Sequence, residues 1–73
     1  MDSYEEASDL IRLAKDYRTR GMHPNARDCF RRAASMLGRL NMFSLACWCW
    51  TQHDIELGYC RPAAPVNVSA LVD

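Results

Sequence analysis

The sequence predicts an all-α domain: an antiparallel helical hairpin, a third helix packed across it, and an extended C-terminal tail. Three observations predict it. Apolar residues recur at spacings of three and four through Ala7–Tyr17 and again through Ala26–Leu40. Gly21, then Gly38 with Asn41, interrupts the pattern at helix-length intervals. Ser3-x-x-Glu6 is a capping box, in which hydroxyl and carboxylate each take an amide that the first helical turn leaves unpaired.

The first helix is expected over Ser3–Arg20. Glu5 and Glu6 suit the positive end of its dipole and Arg18 and Arg20 the negative end. Ala7, Leu10, Ala14 and Tyr17 form its inner stripe, widened by Ile11 and Leu13. Gly21 is the expected stop, because the residue just past a helix end often needs positive φ. Pro24 suits the first turn of a second helix, Pro24–Arg39. Its apolar face is Ala26, Cys29, Phe30, Ala33, Leu37 and Leu40, with Met36 and Cys29 as core fillers. So short a connector forces the two helices antiparallel, and Ala14, Ala26 and Ala33 let their axes approach closely.

The third helix is expected over Met42–Leu57, capped by Asn41 or Ser44 and stopped by Gly58. At about 100° per residue it carries two apolar stripes on nearly opposite sides. Leu45, Trp48 and Ile55 are expected to face the hairpin. Phe43, Cys47, Trp50 and Leu57 are expected to face outward and form a homodimer contact, because a chain this short cannot cover both sides of one helix. Asp54 and Glu56 sit unfavourably at the negative end of the dipole, which calls for basic neighbours such as the arginine-rich second helix. Residues 1–60 then form the domain. The stretch 61–73, with two prolines and no helical period, reads as the tail.

Leu10-x2-Leu13-Ala14-x2-Tyr17 followed by Ala26-x3-Phe30-x2-Ala33 resembles one tetratricopeptide repeat, with Gly21 in the turn where that family often has glycine. The likeness covers about Ala7–Leu40, roughly half the chain. It departs at Leu10 (tryptophan in the family), Ala14 (glycine) and Gly38 (proline). One repeat length further on, Trp48 falls at the small position and Thr51 at the tyrosine position, so no second repeat follows. The resemblance implies a repeat-like hairpin with one extra helix, in a class of domains that mediates protein contacts.

The chain has 73 residues and a formal net charge of +0. A domain of this size buries only about 60% of the surface its unfolded chain exposes, so oligomerisation is a natural remedy. The acidic N-terminus lacks the basic and apolar regions of a secretory signal, no apolar run is long enough for a membrane span, and a cytoplasmic protein with four reduced thiols is expected. Charge is uneven: Arg12–Arg39 holds eight bases against Asp16 and Asp28. Arg27, Arg31 and Arg32 form a basic face suited to an acidic protein surface or, as the alternative, to nucleic acid phosphates; zero net charge argues against the latter.

No catalytic, cofactor or metal site is expected. Cys47 and Cys49 point about 200° apart on a helix and cannot share an ion. Cys49 and His53 do share a face, and Cys60 can fold back toward them, but no CxxC or HxxxH spacing supports a zinc site. Cys49–His53 is the only local Cys/His pair, and three short helices offer it no deep cleft or oxyanion site. The expected function is non-enzymatic: a small dimeric protein-binding module, acting as adaptor, chaperone or stoichiometric inhibitor on a partner the sequence does not name.

Overall fold

The structure is a computed structural model that describes residues 3–60. The expectation of an extended tail at 61–73 lies outside these residues. Three helices account for nearly all of the described chain: α1 (Tyr4–Thr19), α2 (His23–Arg39) and α3 (Phe43–Cys60). Among the described residues no helix is long and apolar enough to cross a membrane.

Local chemistry explains each boundary. The Ser3 hydroxyl accepts the Glu6 amide at 3.2 Å and starts α1. Both helix joints use the same C-terminal motif. After α1, Gly21 adopts φ 78°, its N–H donates to the Arg18 carbonyl, and the Met22 N–H donates to the Tyr17 carbonyl. After α2, Asn41 adopts φ 62°, its N–H donates to the Gly38 carbonyl, and the Met42 N–H donates to the Leu37 carbonyl. Asn41 therefore closes α2 instead of capping α3. Asparagine tolerates the left-handed conformation better than other residues with a side chain, which suits it to that place. Gly58 does not stop α3, which runs on to Cys60. The ring of Tyr59 stacks on that of His23, with centroids 4.5 Å apart and planes 16° apart, and holds the last turn against α2.

The helices run antiparallel in sequence order, with α2 in the middle. One core cluster joins Ala7 of α1, Ala33, Ala34 and Leu37 of α2, and Ala46 and Cys49 of α3. The other joins Ala14 to Ala26, Cys29 and Phe30, with Leu10, Ile11 and Tyr17 packed against it. Most of these residues are small, which brings the helix axes close. Phe30 and Leu37 are the largest apolar side chains that are fully buried.

The buried face of α3 is not the expected one. It consists of Ala46, Cys49 and Glu56, with Leu45, Gln52 and His53 half-buried beside them. Of the expected inward set, Leu45 packs against the core, but Trp48 is 37% exposed and Ile55 46% exposed. The closely approaching backbones leave no room for an indole or a branched chain between them, so both lie at the flank. Trp48 sets its ring edge-on to Phe30 (5.9 Å, 75°), with the Lys15 ammonium 5.6 Å from its centroid.

Two substitutions in α2 test this packing by urea denaturation. Leu37→Ala is expected to destabilise the domain by about 3 kcal/mol through the cavity it leaves. Ala33→Leu adds bulk where the axes meet and is expected to cost about 2 kcal/mol.

Candidate interaction surfaces and the Glu56 cluster

Glu56 is fully buried, and the surrounding sequence explains how a carboxylate is held there. Arg18 lies in the last turn of α1 and His23 in the first turn of α2, either side of the Gly21 joint. That joint turns both side chains toward the C-terminal half of α3. Arg18 Nε donates to Glu56 Oε2, and His23 Nδ1 lies against Glu56 Oε1, where a carboxylate fixes the Nδ1–H tautomer. Arg18 Nη2 also donates to Gln52 Oε1 at 2.8 Å, and its guanidinium carbon lies 4.9 Å from the Phe30 centroid. Among the described residues no buried side-chain nitrogen or oxygen lacks a partner. The acidic end of α3 does have basic neighbours, but they come from the joint between α1 and α2, not from the arginines along α2.

The sequence offered a signal for this cluster. Ala46, Cys49, His53, Glu56 and Cys60 recur at alternating spacings of three and four. The pattern is easy to miss because its members are small or polar, whereas the bulky residues of α3 lie off it.

The expected outward stripe is exposed over most of its length. Phe43 is 63% and Trp50 42% exposed, Cys47 is exposed, and Leu57 is half-buried. Trp50 meets the His53 ring edge-on at 5.2 Å. These residues form an apolar flank on α3, separate from the flank carrying Trp48 and Ile55.

The arginines of α2 have different neighbours. Arg27 and Arg31 approach the same carboxylate, Asp28, at 3.3 Å and 3.9 Å. Arg31 and Arg32 also line a groove on the α1 side with Leu10, Ser35, Met36 and Arg39.

All four cysteines are free thiols, and among the described residues no group of three or more His, Cys, Asp or Glu side chains could hold a metal ion. Burial pushes the Cys49 thiol above its ordinary value of 9.0. Burial does the same to Cys29, opposed by the nearby Arg32 charge and helped by Asp28. Cys49 and His53 share the inner side of α3, but His53 Nδ1 pairs with Asp54 at 3.2 Å. A buried, protonated thiol is a poor nucleophile.

No protein-family model matches the chain, and neither the curated proteins nor the solved structures include a match.

Arg18→Met leaves the Glu56 carboxylate buried with His23 alone and is expected to destabilise the fold by about 3 kcal/mol. The double variant Arg18→Met/Glu56→Met should recover most of that loss in the same urea titration, because it removes the buried charge together with its partner. For the thiols, Cys47 should react with a disulfide reagent in the native state, while Cys29 and Cys49 react only on unfolding. Because a raised thiol pKa favours the protonated form in the folded state, its contribution is intact below the ordinary value of 9.0 and lost as pH rises toward the folded one. Unfolding free energy should therefore fall above about pH 9, and Cys49→Ala should flatten that fall.

Proposed function

We propose that this chain is a non-enzymatic protein-binding module, an adaptor, chaperone or stoichiometric inhibitor that acts by covering a partner's surface, and that it self-associates through the outer flank of α3. The observation that carries the reading is the exposure of Phe43 and Trp50 on one flank, beside Cys47. Large aromatic side chains dominate the energetics of protein interfaces, and a small domain gains by covering them. The likeness of the α1–α2 hairpin to a tetratricopeptide repeat supports the same class. The zero net charge of the chain weighs against the nucleic-acid alternative.

Sedimentation equilibrium of the wild-type chain and Trp50→Asp tests the reading. The wild type is expected to dimerise with little dependence on salt, as apolar contacts do, and Trp50→Asp to remain monomeric with unchanged circular dichroism. A wild-type chain that stays monomeric at high concentration refutes self-association.

A further inference from the structure

The hairpin has two long sides. Along one of them α3 packs on α2. The other is an open groove along the α1–α2 seam, and no residue of α3 lines any part of it. Its apolar floor is Leu10, Leu13 and Met36. Its rims differ in sign. The α1 rim carries Glu6, Asp9 and Asp16, with Arg12 paired to Asp9 at 3.1 Å and Arg20 paired to Asp16 at 2.5 Å, so Glu6 is its acid without a charged partner among these pairs. The α2 rim carries Arg31, Arg32 and Arg39, with Asp28 the one acid along it.

We infer that this groove docks a single amphipathic helix of a partner protein, with an apolar stripe bordered by basic residues on one edge and acidic residues on the other. Shape and charge both support that occupant. α2 already packs one helix, α3, along its other side, so a further helix is an element this surface can take. From Glu6 to Tyr17 the seam is roughly 16 Å long, about three helical turns. Three apolar residues spaced three and four apart would meet Leu10, Leu13 and Met36 in register. The basic edge lies over the acidic α1 rim and the acidic edge over the α2 arginines. A helix laid in the reverse direction exchanges its two edges, so the groove selects a helix with edges of opposite sign and, through the rims, sets its direction. A helix with two basic or two acidic edges meets repulsion on one side whichever way it lies. This surface is independent of the α3 flank.

The test uses the full chain and three fluorescein-labelled synthetic helices of about 14 residues with the same leucine stripe. One has a lysine edge and a glutamate edge, one has two lysine edges, and one has two glutamate edges. Fluorescence anisotropy should show the mixed-edge helix binding roughly tenfold tighter than either single-sign helix, as one correct rim against one repulsive rim implies. Leu13→Asp and Arg32→Glu, both at exposed positions, should each weaken it by about tenfold. Trp50→Asp should leave it unchanged, so failure of the self-association reading does not affect the result. Equal binding of all three helices, or binding lost in Trp50→Asp and retained in Leu13→Asp, overturns the assignment. It is also overturned if the Trp50→Asp protein still self-associates and a further Leu13→Asp abolishes this, because the occupant would then be a second copy.

Discussion

The close approach of three helix backbones across small side chains constrains the rest of this structure. Ala7 and Ala14 of α1, Ala26, Ala33 and Ala34 of α2, and Ala46 and Cys49 of α3 are all buried where axes meet. Alanine contacts contribute little apolar area per residue, so the domain relies on a few large groups at the edges of the contact, chiefly Phe30 and Leu37. Packing this tight excludes the indoles. Trp48 covers Phe30 from the side, Trp50 faces away, and the exposed aromatic area on α3 follows from the alanine seam beneath it.

The same constraint accounts for Glu56. Toward the C-terminal end of α3 the inner stripe passes from Ala46 and Cys49 to Gln52 and Glu56, beside the joint between α1 and α2. A fully buried carboxylate is expensive to desolvate, and attraction repays that cost only when its oxygens are fully paired. Here Arg18 takes one oxygen and His23 the other, so α1, α2 and α3 are joined at a single side chain. The small residues give proximity without direction, since alanines slide past one another at little cost. Two directional contacts from either side of Gly21 set how far α3 can shift along the hairpin. The Tyr59–His23 stack adds a third contact at the same end and carries α3 through Gly58.

What the sequence revealed and what it hid divide along these physical lines. The hairpin was legible because α1 and α2 obey local rules: a serine cap, a glycine at positive φ, and inner stripes in which alanines recur with larger apolar residues. The inner face of α3 is hidden in the sequence because bulk is the usual sign of burial. In a helix that meets its neighbour through small residues, the inward positions are the least hydrophobic ones, and Trp48 and Ile55 stand outside the seam they were expected to fill. The Glu56 cluster was legible only in part. Its acidic position at a helix C-terminus signalled a need for cations, but Arg18 and His23 are 38 and 33 residues away in sequence, and only the fold brings them to it. Asn41 is ambiguous because asparagine serves both as an N-cap and as a left-handed C-terminal residue, and local sequence does not separate the two when helices follow so closely.

Two surfaces of different character remain on opposite sides of α2, and the thin stability margin of so small a domain links them to folding. A ligand that binds only the folded state stabilises it by an amount that grows with the logarithm of its concentration. The α3 flank is apolar and aromatic, so an occupant there is held by burial and is little affected by salt. The α1–α2 groove is apolar in its floor and charged at its rims, so an occupant there is selected by sign as well as by shape. Both faces are backed by the same helix, whose Ala33, Ala34 and Leu37 pack toward α1 and α3 together. An occupant on either side therefore resists the same unfolding event, and each would tighten the other to the extent that the unoccupied domain opens. Should both proposed faces be occupied, one small core would carry two contacts, and each would add to the stability of the folded chain.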